Sequence, residues 1–210
     1  MKKIYILFCL LILGVSGFSQ RLWIESDFTK EVIRNLELSF SPQARFKEAL
    51  VLKEYFIETQ LEYEFFNYFQ LGAGYRLGNN INKDGLTESY GRFNIDAKAK
   101  YNWRNLQPKI RLRLTNANDF ADEDNDPVSF LRYKGELEYS IDKIRSEPYI
   151  IYELYHDLLE KELSKARTET GLLFKISKRH RIGAYYRLND YLKSDKESIH
   201  IIGLLYKLKI

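Results

Sequence analysis

PKIRLRLTN, residues 108–116, sets Lys109, Arg111 and Arg113 in strict alternation with Ile110, Leu112 and Leu114. A period of two is a strand, with one face cationic and the other aliphatic. On a soluble protein the cations would meet water. In a membrane barrel they would turn inward.

The same alternation recurs along the chain. Leu36, Leu38 and Phe40 oppose Glu37, Ser39 and Ser41. Tyr55, Ile57, Thr59, Leu61 and Tyr63 oppose Glu54, Glu58, Gln60 and Glu62. Phe93, Ile95, Ala97, Ala99 and Tyr101 oppose Arg92, Asn94, Asp96, Lys98 and Lys100. Leu131, Tyr133, Leu137 and Tyr139 oppose Arg132, Lys134, Glu136 and Glu138. Further rows place Glu153, Glu169, Arg181 and Arg187 on the polar side. The pattern predicts an all-β, antiparallel up-and-down transmembrane β-barrel of about ten strands, each long enough to cross a bilayer when tilted. Residues 22–29 alternate more weakly, because Ser26 falls on the apolar side. With them there would be eleven strands, an odd count with parallel closure. The even strand number of bacterial barrels therefore assigns residues 20–35 to a periplasmic lead-in or a segment inside the lumen; the alternative is an extra strand, with this stretch or a long loop supplying a further crossing in a barrel of twelve.

Connections are expected short at 66–67, 104–105, 142–146 and 177–179, and long at 78–88, 116–128, 157–164 and 190–197. Short turns at one end and long polar loops at the other are the layout of an outer-membrane barrel.

The chain opens MKKIYILFCLLILGVSGFSQ. Two lysines precede a short apolar run at 4–13, and Gly17 and Ser19 are small. This predicts an export signal over 1–19, leaving 20–35 and a barrel over 36–210. Cys9 is the only cysteine, so residues 20–210 hold no thiol for a disulfide, a metal or a nucleophile. Beyond residue 19 cations exceed acids by only two, which excludes a nucleic-acid footprint.

A soluble lipocalin-type barrel has the same period with the faces reversed. Four features favour the membrane form: the alternating loop lengths, aromatics near the ends of the apolar rows, glycines mostly in the polar rows (Gly135 excepted), and the ending IIGLLYKLKI. There Gly203, Tyr206 and Leu208 fit the Gly-x-x-aromatic-x-apolar spacing by which barrel-insertion machinery reads a C-terminal strand; Ile201 departs from it, where a polar residue is usual. The expected partners are outer-membrane lipid and that machinery, and the expected location is the outer membrane of a Gram-negative cell.

The stretches FQLGAGYRLG (69–78), GRFNIDAKAKYNW (91–103), LRYKGELEYSI (131–141) and IIGLLYKL (201–208) resemble the DUF2490 proteins of Bacteroidota. That resemblance implies an outer-membrane-type barrel and carries over no catalytic residue.

The expected lumen is lined by Glu58, Glu62, Arg92, Lys98, Lys100, Lys109, Arg111, Arg113, Glu136, Glu138, Glu153, Glu169, Arg181 and Arg187. Acids and bases lie on different strands and would pair across a narrow bore, since an unpaired buried charge is costly. A packed ionic plug is the first reading, making the protein a structural or interaction scaffold through its loops. A narrow channel for ions or small solutes is the second. A barrel enzyme acting on envelope lipid is the third, with His156 beside Asp157 as its only tempting member. No GxSxG, HExxH or CxxC is present, and no cofactor is expected. Asp122, Asp124 and Asp126 open like an EF-hand loop. Pro127 and Tyr133 stand where its Gly and bidentate Glu belong, so the stretch reads as a solvated acidic loop with at most weak cation binding.

Overall fold

The computed structural model describes residues 20–82, 84–119, 128–193 and 197–210. The proposed export signal and Asp122, Asp124 and Asp126 lie outside the described residues. Among those described, eleven strands close one barrel. They are β1 Gln20–Ile33, β2 Leu36–Lys47, β3 Val51–Phe66, β4 Phe69–Ile81, β5 Thr87–Lys100, β6 Leu106–Asp119, β7 Val128–Tyr139, β8 Ser146–Asp157, β9 Glu162–Lys175, β10 His180–Tyr191 and β11 Ile199–Lys209. Successive strands are antiparallel. β1 closes the ring against β11 in parallel, from Gln20 opposite His200 to Thr29 opposite Lys209.

This corrects the expected count of ten, and its alternative of twelve. Of the two readings of residues 20–35, lead-in and extra strand, the structure shows a strand over Gln20–Ile33: Trp23, Glu25 and Phe28 have partners on both β11 and β2. β1 thus satisfies the backbone edges of both β2 and β11, which an open sheet would leave unpaired. Glu25 and Asp27 do not meet Lys109, Arg111 and Arg113. Glu25 accepts from Tyr185 and Asp27 from Ser41.

The connections are shorter than their polarity suggests. Asn79 and Asn80 pair with Ser89 and Glu88, so the loop expected over 78–88 narrows to 82–86. That expected over 157–164 narrows to 158–161. Polar residues at these strand ends continue the ladder instead of leaving it. The β1–β2 and β3–β4 connections, 34–35 and 67–68, lie at the same end as the C-terminus; β1 begins at the other end.

Apolar residues face out. Ile57, Leu61, Phe93, Ile95, Ile110, Leu112 and Leu114 are all exposed, while Asp96 and Asn94 on the opposite face are 0% and 1% exposed. The lumen holds two kinds of packing. β8, β9, β10, β11 and β1 contribute a small apolar cluster of Trp23, Tyr149, Ile151, Leu173, Tyr185 and Ile201. β3 to β8 contribute most of the ionic wall. Ile201, which departs from the usual C-terminal signal, is fully buried in that cluster.

Candidate functional site: the lumen

Each inward row delivers its charged side chains to one interior. Arg113, midway along β6, anchors the centre. It donates from Nε and Nη2 to the two oxygens of Asp96 at 2.6 Å each, from Nη1 to Glu58 at 3.0 Å and from Nη2 to Gln60 at 3.0 Å. One guanidinium thus braces three strands, in the bidentate geometry that makes such pairs strong. Glu58 also accepts from Arg76, which sits on the next strand, at 2.5 and 2.8 Å.

A second centre is Glu153 on β8, only 2% exposed. It accepts from Arg111 at 2.7 Å, from Arg132 at 2.9 Å and from Arg167 at 3.3 Å. A third joins Glu169 to Arg187 at 2.6 Å, with Tyr149 donating to the same carboxylate at 3.0 Å. Arg187 also lies 3.5 Å from Glu25.

Toward the C-terminal end the pairs involve lysine. Lys98 meets Glu62 at 2.5 Å and Lys100 meets Glu64 at 2.7 Å. Lys109 bridges Glu136 at 3.1 Å and Glu138 at 2.9 Å, and Lys134 meets Glu136 at 2.6 Å. Arg181 lies 3.2 Å from Glu147. Arg92 stands apart. Among the described residues it meets no carboxylate, its buried Nε has no partner, and its guanidinium lies 5.5 Å from the Tyr90 ring centre.

Toward the other end, aromatic rings take over. Arg45 lies 3.8 Å from the Trp23 ring and 4.6 Å from that of Phe56. Arg76 covers Phe56 at 3.8 Å, and Lys165 covers Tyr155 at 3.8 Å. Trp23, Phe56, Tyr90 and Tyr155 are all buried. On each of their strands they lie nearer the end where β1 begins than the charged residues just described. Such desolvated cation–π contacts contribute on the order of 2 kcal/mol.

Three tyrosines share a further arrangement. Tyr149, Tyr185 and Tyr90 each stand opposite a glycine on the neighbouring strand, Gly171, Gly203 and Gly78, and occupy its side-chain space. Each donates its hydroxyl to a carboxylate, of Glu169, Glu25 and Glu54 respectively.

The space left between these groups is a cavity of about 280 Å³ in the centre. A second, of about 410 Å³, lies at the C-terminal end. Arg111, Lys134 and Glu136 line both.

The fourteen lumen candidates all lie on the inward rows. Arg45, Arg76, Arg132, Arg167, Asp96 and Gln60, outside those fourteen, hold the same networks. Their signal was available, since all sit in polar rows. The inward aromatics Trp23, Phe56, Tyr90, Tyr149, Tyr155 and Tyr185 fall outside those fourteen as well; each is an aromatic residue within a polar row.

The histidines are elsewhere. His180 and His200 face outward and bond to the hydroxyls of Tyr206 at 2.8 Å and Tyr186 at 2.5 Å. His156 faces outward, and its side chain makes no hydrogen bond among the described residues. Neighbouring Asp157 caps the turn by accepting from Leu159 and Glu160 N–H. No group of three or more His, Cys, Asp or Glu is placed to hold a metal among the described residues.

A family model, Protein of unknown function (DUF2490), matches residues 20–198. No curated protein matches the chain. Solved structures similar to it include three outer-membrane proteins or porins. The loop L8 deletion mutant of OmpT, an outer membrane protein of Vibrio cholerae, has 11% identity and TM-score 0.45, covering 80% of this chain and 60% of that one. The anion-selective porin from Comamonas acidovorans has 13% identity and TM-score 0.41, covering 83% and 53%. The KdgM porin in complex with disordered oligogalacturonate has 15% identity and TM-score 0.46, covering 90% and 87%. The chain thus spans 60% and 53% of the first two proteins' lengths.

Proposed function

The chain belongs to the DUF2490 family, and from that premise we propose that it is an outer-membrane barrel whose lumen is closed by its own side chains. It serves as a structural element or as a scaffold presenting loops, and performs no catalytic step. The outward apolar rows support the membrane part of this reading, because large aliphatic and aromatic side chains ring the barrel while its charges lie inside.

One observation carries the closure. Arg113 reaches Asp96 on β5 and both Glu58 and Gln60 on β3. A mid-strand guanidinium that binds across two intervening strands, β5 and β4, occupies the bore, and the inaccessibility of Asp96 agrees. The aromatic layer of Trp23, Phe56, Tyr90 and Tyr155 supports closure toward the end where β1 begins.

A second reading, a narrow ion channel, is favoured by the lining residues shared between the two cavities, which extend space toward the C-terminal end. Planar-bilayer recording separates the two. The closed barrel should show no stable large openings. Resolved conductance steps whose ion selectivity changes on Arg111→Glu would establish the channel instead.

A further inference from the structure

Around Glu153 the cations outnumber the acid that holds them. Its one carboxylate is shared among Arg111, Arg132 and Arg167. Lys134, directly opposite Glu153 on the ladder, is committed to Glu136. Lys165, opposite Tyr155, meets no carboxylate among the described residues and rests on the Tyr155 ring. The register sharpens the imbalance: Lys98 faces Arg111, Arg111 faces Lys134, and Arg113 faces Arg132. Directly opposed like charges are destabilising, and buried cations are costly unless an anion offsets them.

These heads surround space. Arg111, Arg132 and Arg167 all line the central cavity of about 280 Å³. They also keep donors in reserve. Glu153 takes only Nη2 of Arg111, Nε and Nη2 of Arg132, and Nη1 of Arg167, whose Nε goes to Asn189. Nη1 of Arg111, Nη1 of Arg132 and Nη2 of Arg167 make no hydrogen bond among the described residues. Room, excess positive charge and unused planar donors coincide. Guanidinium forks match the oxygens of phosphate and carboxylate groups alike.

We propose that the central cavity binds a small multivalent oxyanion, bearing phosphate or carboxylate groups, with Arg111, Arg132 and Arg167 as its donors. Glu153 holds the three guanidiniums in place from one side, and its charge opposes the ligand from the other. The site therefore has two levers of opposite sign. Removing an arginine weakens binding, and neutralising Glu153 strengthens it. The inference goes beyond scaffold function and holds whether or not the lumen conducts.

The test uses the folded full chain in detergent. The midpoint of heat-induced loss of the compact electrophoretic form is followed in chloride, inorganic phosphate and citrate at equal ionic strength. A saturable rise in phosphate or citrate over chloride is expected. Phosphate alone would assign a phosphate group, citrate alone a carboxylate, and both the shared chemistry. Arg167→Gln should weaken the apparent affinity about tenfold, the loss of one charge-assisted hydrogen bond. Glu153→Gln should strengthen it, and Arg179→Gln, in an exposed turn, should leave it unchanged. Equal midpoints in the three salts would overturn the proposal. So would a rise that Arg179→Gln and Arg167→Gln diminish alike, which would mark a response to net charge. Should Glu153→Gln fail to fold, titration calorimetry of the unaltered protein with citrate and with phosphate decides; absence of saturable heat in both overturns the site.

Discussion

Tyr185 occupies the space in which a side chain at Gly203 would stand. The two residues face each other across the β10–β11 ladder, and a Cβ at Gly203 would fall within the tyrosine ring. The hydroxyl of Tyr185 then reaches Glu25 on β1. One ring therefore links three strands, including both sides of the parallel seam. Trp23 stands opposite Gly203 from the β1 side and joins the same apolar cluster. Gly203→Val should expel the ring and lower the midpoint of heat-induced unfolding, at a cost of about 1–3 kcal/mol for overpacking. Gly135→Val is the comparison, because Gly135 faces outward with open space around it. Equal midpoints for the two variants would show that the Tyr185–Gly203 packing does not hold the seam.

Asp96 is the carboxylate on which Arg113 depends most, and it is wholly inaccessible. Asp96→Ala leaves Arg113 with Glu58 and Gln60 alone, and should cost about 3–5 kcal/mol, the penalty for removing one member of a buried pair. Lys100→Ala breaks a pair whose members are 29% and 28% exposed. Such a pair contributes about 1 kcal/mol or less. Denaturant titration of both variants in detergent measures the difference. Similar losses would mean that the centre of the lumen is solvated rather than packed.

Much of this was legible in the sequence. Alternation assigned the inward and outward faces of every strand, because a barrel wall makes each side chain choose between two environments. Count was harder. β1 carries its own alternation, with Leu22, Ile24 and Phe28 outward against Trp23, Glu25 and Asp27. Parity, which argues against it, is a rule about whole barrels rather than about this segment. The ladder with β11 shows that local pattern and edge closure decided instead. Which acid meets which base was not legible. Arg113 skips to β3 and three arginines converge on Glu153, and both depend on barrel shear and bore width, which no single strand encodes. The Tyr–Gly pairs fall between these cases. Glycines in polar rows were visible, but their partners on neighbouring strands required the register.

Leu112 lies between Arg111 and Arg113 in sequence and on the opposite face of β6, exposed to the outside. If that face meets lipid, Leu112→Arg should cost about 2–4 kcal/mol near the bilayer midplane, and less toward the interfaces. Equilibrium folding into lipid vesicles reads this directly. A neutral effect, together with extraction of the unaltered protein without detergent, would assign the outward face to water.

The seam between β1 and β11 gives the most specific prediction. Their register is parallel and pairs Ile24 with Leu204, both outward. Neighbouring strands lie about 4.8 Å apart, within the separation that a disulfide spans. Cys9 is the only cysteine of the chain, so none follows residue 19 to compete. Ile24→Cys with Leu204→Cys should therefore cross-link on oxidation of the folded barrel. Because parallel pairs are slightly weaker per residue, the link should also raise the unfolding midpoint. Ile24→Cys with Leu208→Cys, four residues further along the same strand, should not cross-link. The parallel seam also places Gln20, where β1 begins, and Lys209, where β11 ends, at opposite rims. If the C-terminal rim faces the periplasm, a tag placed after Gln20 should be labelled on intact cells. Cross-linking of both cysteine pairs alike, or a tag protected until the cells are opened, would mean that β1 does not close the barrel beside β11.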